Sequence, residues 1–485
     1  MKSILLLSLL LDVAGSGSKV MAQSPGTFTR TGNLSTARQL HTATLLTNRE
    51  VLITGGSSVP RPFSVWASAE LYDPATGTFT PTGSMTASRF SHTATLLPNG
   101  KVLIAGGDSN VFEFGSSARA SAELYDPSTG TFTATGEMTT ARSWHTATLL
   151  NNGRVLVAGG SRNRPLASAE LYDPLKGTFA ATGEMTNPGS QTATLLSNGK
   201  VLFEGSYWSA DSDRPGGNEL YDPDTGTFSP TGGKAYPDLF PVTASLLTNG
   251  KVLVTEQYSC DGSPFAELYD PSAGTSTATG NMTKPRGYST ATLLPDGKVL
   301  IAGREWVHLD SSAEFYDPVT GTFSTTGDML PQREEGHTAT LLPNGTVLLS
   351  GGWICCGYSI ATAEIYHPAV LVPSPVLFSL SGDGKGPGAI LHSGTHQVVS
   401  PGNPAVAGEA LEIYLTGLTD GGMIPPQVAI GGRMADVLWF GNTPGFTGLN
   451  QVNVRVPSGT APGPAVPVRL TYISRTSNEV TVGVR

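Results

Sequence analysis

One phrase recurs seven times along this chain and limits its possible folds more than any other feature. It reads HTATLLPNGKVLIAGG at His92–Gly107 and returns as HTATLLNNGRVLVAGG at His145–Gly160. The copies begin at residues 41, 92, 145, 191, 242, 289 and 337. A period of about 50 residues indicates a β-propeller, in which each repeat forms one four-stranded blade.

Each repeat divides into four short strands, which we call a to d. An apolar T-A-T-L-L run (a) leads through a turn such as Pro98–Lys101 to a second apolar run (b). After a longer loop, A-E-L-Y (c) leads through an Asp-Pro turn to T-F-T (d). Each blade is therefore predicted to be a four-stranded antiparallel sheet.

The two ends of the array together complete one blade. Gly26–Gly32 resembles a strand d with no blade before it, and Ala363–Pro368 resembles a strand c with no strand d after it. Joining them closes the ring and leaves no exposed end. The predicted fold class is all-β, with a seven-bladed propeller over residues 24–370 that is closed by the N-terminal strand.

After Pro373 the period stops and short apolar segments continue, divided by Gly and Pro. They predict an immunoglobulin-like β-sandwich domain over residues 375–485. The segments are Ala410–Leu415, Gln427–Ile430, Ala435–Phe440, Gln451–Val456, Val466–Tyr472 and Glu479–Val484.

The first 22 residues have the pattern of a signal peptide. Lys2 precedes the apolar run Ile4–Leu11, and Val20-Met21-Ala22 fits a cleavage site. We therefore expect a secreted protein, extracellular or at the cell surface, with the periplasm as an alternative. No later run is long and apolar enough to predict a transmembrane segment.

Charge and cysteine usage narrow the possible partners. A net charge of −9 without a basic block argues against nucleic acid. The three cysteines, Cys260, Cys355 and Cys356, are disulfide candidates, either Cys260 with one of the other two or the vicinal pair. Their spacing is not that of a zinc site. We predict no metal, no cofactor and a monomer.

The repeat resembles the kelch repeat of secreted bacterial, galactose oxidase-like propellers. The shared motifs are a glycine pair after strand b, E-x-Y-D-P in strand c and an Arg before strand a. Phe79 and Phe132 stand where many kelch repeats have Trp.

The C-terminal segment resembles the Ig-like module of acidobacterial secreted proteins, in stretches such as Ile413–Gly417 and Pro444–Val456. That resemblance implies a surface or secreted setting and no activity.

A propeller followed by an Ig-like domain also resembles galactose oxidase and related copper-radical oxidases. That resemblance implies two tyrosines, two histidines and a cysteine cross-linked to one tyrosine. Tyr366-His367 mimics a ligand pair, but it is the seventh copy of the Tyr-Asp motif. The sector that holds Cys260, Tyr207, Tyr258 and His308 has no evident second free histidine.

Strand order places the variable loops on one face of the ring. All b–c and d–a connections lie on this loop face, and the short a–b and c–d turns lie on the opposite turn face. Variable loops on a rigid scaffold usually carry function. The five propeller tryptophans are on the loop face, where they predict sugar stacking or protein anchoring, or packing of the loops against one another. They are Trp66, Trp144, Trp208, Trp306 and Trp353.

Repetition separates structural residues from candidate site residues. A glutamate such as Glu70 recurs in strand c of every blade, so we predict a structural role for it. His41, His92, His145 and His337 occur only in blades with a full glycine pair. They are predicted to pack against that glycine backbone rather than to bind metal.

Blades 4 to 6 depart from the repeat on the loop face, and departures from local rules tend to mark functional sites. Their carboxylates and aromatic residues predict binding of sugar hydroxyls or calcium, or an acid/base pair, with neutral drift as the alternative. Together with Trp66, Trp144 and Trp353, the ligand-binding candidates are Tyr207, Trp208, Asp211, Asp213, Glu256, Tyr258, Arg304, Glu305, Trp306 and His308.

The sequence therefore predicts a secreted binding protein that recognises a glycan or a protein on its loop face, and it assigns no catalytic residue. The alternative is a carbohydrate-active enzyme. That enzyme is either a hydrolase or lyase that uses the acidic sector of blades 4 to 6, or a copper oxidase of the galactose oxidase type. A purely structural surface protein is the third reading.

Overall fold

The computed structural model shows an all-β chain that forms two compact units, Gly26–Leu371 and Val372–Arg485. Within the described residues there is no helix that is long and apolar enough to cross a membrane. The residues described are 26–59, 63–110, 117–188, 191–205, 217–236, 239–257, 264–303, 311–331, 333, 335–354, 357–369, 375–418, 424–443, 446, 448–472 and 475–485.

The first unit is a propeller of seven four-stranded antiparallel sheets, each with the strand order a-b-c-d. This confirms the predicted fold class. Strands a of neighbouring blades pack against one another around the centre of the ring. From strand a to strand d, the blades are blade 1, Thr42–Leu45, Val51–Thr54, Ala69–Asp73 and Thr78–Pro81; blade 2, Thr93–Leu96, Val102–Ala105, Ala122–Asp126 and Thr131–Ala134; blade 3, Thr146–Leu149, Val155–Ala158, Ser168–Asp173 and Thr178–Glu184; blade 4, Gln191–Leu195, Val201–Gly205, Asn218–Asp222 and Thr227–Pro230; blade 5, Phe240–Leu246, Val252–Gln257, Ala266–Asp270 and Thr275–Ala278; blade 6, Thr290–Leu293, Val299–Ala302, Ser312–Asp317 and Thr322–Asp328; and blade 7, Thr338–Leu341, Val347–Ser350, Ala363–His367 and Thr27–Arg30.

The N-terminal strand closes the ring as predicted. Thr27–Arg30 pairs antiparallel with Ala363–His367 and forms strand d of blade 7. The ring of Phe28 packs on the ring of Tyr366 with centroids 5.0 Å apart. The segment Thr27–Arg30 therefore links the two ends of the array and completes the last blade.

Buried apolar strands and repeated polar contacts hold each blade together and join it to the next. In blade 2, Arg89 forms a fully buried ion pair with Glu123, with a distance of 2.7 Å between Nη2 and Oε1. Tyr125 Oη lies 3.0 Å from Thr82 Oγ1 of blade 1. These contacts recur around the ring, which confirms the structural role predicted for the repeated glutamate. The equivalent arginines are Arg38, Arg142, Arg286 and Arg333.

The second unit is one nearly closed sheet of nine strands. The segments predicted as strands are found as strands, and three short strands are added. Parallel bridges between Pro387 and Thr481 and between Ala405 and Val484 also link segments of this unit. The immunoglobulin-like assignment remains a prediction. Along the sheet the strands are Val376–Leu377, Ala410–Thr416, Asn450–Arg455, Arg433–Asn442, Gln427–Ile430, Gly463–Tyr472 and Arg475–Thr476, with Ile390–His392 paired to Ala410–Thr416 and Val480–Val484 paired to Gly463–Tyr472.

Candidate functional site

On the loop face, an arc of hydrogen bonds links the residues that precede strand a. Leu40, Ser91 and Trp144 adopt φ values of 53°, 48° and 58°, in the left-handed region that non-glycine residues seldom use. Leu40 N–H donates to Gly336 O (2.9 Å), Ser91 N–H to Leu40 O (3.0 Å) and Trp144 N–H to Ser91 O (3.0 Å). We call these four residues the rim arc. It joins blades 7, 1, 2 and 3.

The rim arc cannot continue unchanged through blade 5. The residue that precedes the repeat phrase there is Pro241, which has no N–H to donate. The pairing of strands a and b in blade 5 is also shifted between Pro241 and Thr243. The backbone before strand a of blade 5 therefore differs from that of blades 1, 2 and 3.

The repeat histidines fill spaces that the glycine pairs leave. A Cβ atom on Gly106 would lie 2.6 Å from His145 Cε1, and one on Gly107 would lie 2.8 Å from His92 Cβ. Burial lowers the pKa of both His145 and His337 to about 3, so these rings are neutral at physiological pH. The predicted packing of imidazole against glycine is confirmed. The first glycine of each pair, such as Gly106, leaves space for the histidine ring of the next blade, such as His145.

The interface between blades 4 and 5 replaces part of this repeated packing with charged side chains. Ala235 N–H donates to Glu267 Oε2 as Thr86 N–H donates to Glu123 Oε2 in blade 2. Lys234, which precedes Ala235, therefore stands where blade 1 buries Leu34 and the five remaining blades bury a methionine. Those methionines are Met85, Met138, Met185, Met282 and Met329.

The strand register corrects the sequence alignment of blade 4. The sequence pattern aligns Glu204-Gly205 with the glycine pair of the repeat, and strand pairing shows that this alignment is wrong by one residue. Glu204 pairs with Thr192 as Thr54 pairs with Thr42, so Glu204 takes the place of Thr54 and Gly205 takes that of the first glycine. Glu204 is fully buried, and its Oε2 accepts a bond of 3.3 Å from Thr192 Oγ1.

Lys234 and Glu256 form a buried ion pair at this interface. Lys234 Nζ lies 2.6 Å from Glu256 Oε1, and both side chains have no exposed surface. Lys234 Nζ also donates to Leu239 O at 2.9 Å. Leu239 stands three residues before the start of the phrase, where blades 1, 2, 3 and 6 have the arginine that pairs with the strand c glutamate. Glu267 of blade 5 therefore lacks that arginine.

These substitutions produce a group of mutually interacting charges, which we call the blade 4/5 charge cluster: Glu204, Lys234, Glu256 and Glu267. Burial raises the pKa of Glu256 to about 7, against the attraction of Lys234. Burial, followed by repulsion from Glu267, raises the pKa of Glu204 well above its ordinary value. Three carboxyl groups share one ammonium group, and the raised pKa values of Glu204 and Glu256 favour their neutral forms, which limits the excess negative charge.

The loops of blades 1 and 7 pack against each other on the loop face. Each forms a small hairpin, and Ser359 N–H donates to Val59 O at 2.9 Å between them. Trp66 and Trp353 belong to these loops and are partly exposed. For these two tryptophans, loop packing accounts for part of their burial. Trp144 is also partly exposed, at the end of the rim arc.

Most of the other predicted site residues lie outside the described residues. The exception is Glu256, which is covered by protein and cannot contact a ligand directly in this structure. Its ligand-binding role remains a prediction. The candidates outside the described residues are Tyr207, Trp208, Asp211, Asp213, Tyr258, Arg304, Glu305, Trp306 and His308, with the cysteines Cys260, Cys355 and Cys356.

Sequence reasoning overlooked Lys234. The signal was present, because a methionine precedes strand a at the same place in five other repeats and lysine breaks that series. Asn218 was missed in the same way. It stands where Ala69 and Ala122 lie in blades 1 and 2, and its side chain is buried beside the strand that holds Glu204.

The described residues do not assemble a copper-radical site. They contain no group of three or more His, Cys, Asp or Glu side chains arranged to hold a metal. Tyr366 Oη lies 3.0 Å from Thr326 Oγ1, and His367 Nε2 lies 2.8 Å from Thr29 Oγ1. The side chains of Tyr366 and His367 therefore both make hydrogen-bond contacts with other propeller strands and their flanking residues.

Comparison with known proteins supports the fold. No protein-family model matches the chain, and no curated protein matches it. A solved structure described as a novel fungal alcohol oxidase with catalytic diversity among the AA5 family, in complex with copper, is similar with a TM-score of 0.58 and 17% sequence identity. The match covers 96% of this chain and 100% of that one. At this identity the similarity establishes a galactose oxidase-like propeller fold and nothing about activity.

Proposed function

We propose that this chain is a secreted, non-catalytic protein that recognises carbohydrate on the loop face of its propeller, around blades 4 to 6. The observation that carries the proposal is the blade 4/5 charge cluster. The strand b residues Glu204 and Glu256 lead directly into the loops that contain residues 206–216 and 258–263. Those loops contain Trp208, Tyr207 and Tyr258.

The blade 4/5 charge cluster stands where apolar packing would be at least as stable. Burying an ion pair is often no more stabilising than apolar packing, and it can be less stabilising by about 1–4 kcal/mol. Five of the other blades have a buried methionine at the position of Lys234, so the apolar alternative is present in the same chain. A less stable arrangement that supports two variable loops is expected where those loops carry function.

Binding is favoured over catalysis because the cluster is covered. A general acid or base must come within hydrogen-bond distance of its substrate. The side chains of Lys234 and Glu256 have no exposed surface, and Glu204 is equally buried. In this arrangement they can act only through the segments that follow them in the chain, and we assign contact with sugar to the aromatic residues of those segments.

A glycan array with the full chain tests the proposal. We expect the double variant Trp208→Ala, Trp306→Ala to lose about tenfold or more in affinity for the glycan that the parent binds. Val319→Ala is the matched control, because Val319 is 91% exposed in a turn of the opposite face. Binding that both variants retain, or no glycan binding by the parent chain, would reject the loop-face proposal.

One observation supports a hydrolase or lyase as the second candidate. A carboxyl group with a pKa of about 7, such as that of Glu256, has the proton affinity that a general acid at neutral pH requires. This candidate needs a state in which Glu256 is uncovered. Product release from polysaccharides that is abolished by Glu256→Gln would favour it over simple binding.

A further inference from the structure

One face of the C-terminal sheet brings together an exposed tryptophan, two amides and a carboxylate. Trp439 pairs with Asn453 across neighbouring strands, and Asn453 pairs with Glu412 on the next strand. Gly441, Gln451 and Tyr414 form the adjacent row in the same way. Residues directly opposite in a sheet share a face, so these six residues form one patch, which we call the Trp439 face.

This patch lies on the outer side of the sheet. The alternate residues Leu411, Val452 and Val454 are fully buried on the other side. Strands are about 4.8 Å apart, so three strands give a flat surface about 10 Å wide. A surface of that width suits a short, flat ligand rather than a helix in a groove.

Trp439 lies against a glycine on this surface. A Cβ atom on Gly441 would lie 3.3 Å from Trp439 Cζ2 and 3.4 Å from Cη2, so the indole ring rests on the glycine backbone. Trp439 is nevertheless 42% exposed. The strand register shifts between Val437 and Trp439, and such bulges redirect side chains. The result is an aromatic platform that is supported from one side and accessible to solvent.

The amides beside the platform are fixed by one hydrogen bond. Gln451 Nε2 donates to Asn453 Oδ1 at 2.8 Å. The described residues supply no partner for the Asn453 amino group or the Gln451 carbonyl oxygen. One donor and one acceptor therefore remain side by side next to the indole ring, which is the pairing that adjacent sugar hydroxyls require.

The far side of the patch is also held in place by hydrogen bonds. Tyr414 Oη donates to Glu412 Oε2 at 3.1 Å, and His396 Nδ1 lies 3.1 Å from the same oxygen. The His396 side chain is 61% exposed, whereas that of Glu412 is almost fully buried. Glu412 thus orients two polar rings at the edge of the surface.

We propose that the Trp439 face is a carbohydrate-binding surface. A pyranose ring stacks on Trp439, Asn453 and Gln451 bond its hydroxyls, and the ligand extends toward His396. The neutral amides and the aromatic ring fit an uncharged polysaccharide, whereas a nucleic acid would require a basic surface. The proposal goes beyond the loop-face function, because it concerns the second unit and different residues.

Retention of the full chain on insoluble cellulose, chitin and starch tests this proposal. We expect Trp439→Ala to weaken binding to the retained polysaccharide about tenfold or more. Asn453→Ala should weaken it several-fold, by about the effect of one lost hydrogen bond. Leu438→Ala is the matched control, since Leu438 is an adjacent apolar residue that is 45% exposed.

The outcomes separate this site from the loop-face site. Loss of retention in Trp439→Ala, with an unchanged melting temperature and normal retention of Trp208→Ala, Trp306→Ala, supports the proposal. Equal losses in Trp439→Ala and Leu438→Ala would indicate non-specific apolar or protein contact and overturn it. Retention that does not depend on Trp439, or no retention on any of the three polysaccharides, also overturns it.

Discussion

The blade 4/5 charge cluster should make the stability of the propeller fall as pH rises toward neutrality. Glu256 has an ordinary pKa of 4.5 and a pKa of about 7 in the folded chain. Between these values the folded state keeps a proton that the unfolded state has lost. The contribution of Glu256 to the free energy of unfolding therefore decreases through this pH range and levels off above about pH 7.

The size of this effect follows from the displacement of the pKa. Each tenfold change in proton affinity corresponds to about 1.4 kcal/mol, so moving the pKa from 4.5 to about 7 corresponds to about 3 kcal/mol. Lys234 attracts the ionised form and reduces the effect, whereas Glu267 repels the ionised form and enlarges the effect.

Urea unfolding of the full chain at about pH 5 and about pH 8 measures this difference. We expect the parent to lose about 2–3 kcal/mol more than Glu256→Gln between the two pH values, because glutamine cannot ionise. Glu137→Gln removes an exposed glutamate and is the control, which should follow the parent. Equal losses in the parent and Glu256→Gln would refute the reasoning, since Glu256 would then be ionised throughout.

Three further predictions follow from the described contacts. Lys234→Met should lower the free energy of unfolding at neutral pH by about 3 kcal/mol, and adding Glu256→Gln should recover most of it; additive losses in urea unfolding would contradict the coupling. Gly106→Ala should lower the melting temperature by several degrees without changing glycan binding, because its Cβ would lie 2.5 Å from Arg142 O; an unchanged melting temperature would show that the backbone adapts. Deleting residues 26–30 should open the ring and produce soluble aggregates in size-exclusion chromatography, whereas a monomer would show that blade 7 does not need its strand d.

The propeller could be predicted because the sequence signals for its strands and turns are local and recur in every repeat. Asn-Gly turns, alternating strand patterns and a constant period define the blades, and the incomplete segments at the two ends predict closure. The register of blade 4 was harder. Glu204 and Ser206 differ from the consensus while Gly205 matches its first glycine, so an alignment shifted by one residue was also plausible. Only strand pairing placed Glu204 opposite Thr192.

The candidate site was less predictable because its contacts come from distant parts of the chain. Lys234 and Glu256 form an ion pair but lie on different segments of the chain, and nothing in either segment shows that the two side chains meet. Trp439 was likewise not recognisable as a site residue from its sequence context, because the residues that form the site with it are its cross-strand neighbours. Pairing between side chains of separate strands is set by register, which hydrophobic patterns in single strands specify only in part.

Neutral drift gives a poor account of the blade 4/5 charge cluster. A lysine in place of the buried methionine, with no carboxylate beside it, would bury an uncompensated charge and cost about 3–5 kcal/mol. Glu256 without Lys234 would carry a similar penalty unless it stayed protonated. The two residues instead lie 2.6 Å apart with no exposed surface, and the arginine of the ordinary repeat is absent from the same blade. Selection for a matched set explains this combination better than independent loss of consensus residues, and Glu204 and Glu256 lie at the ends of the b strands of blades 4 and 5.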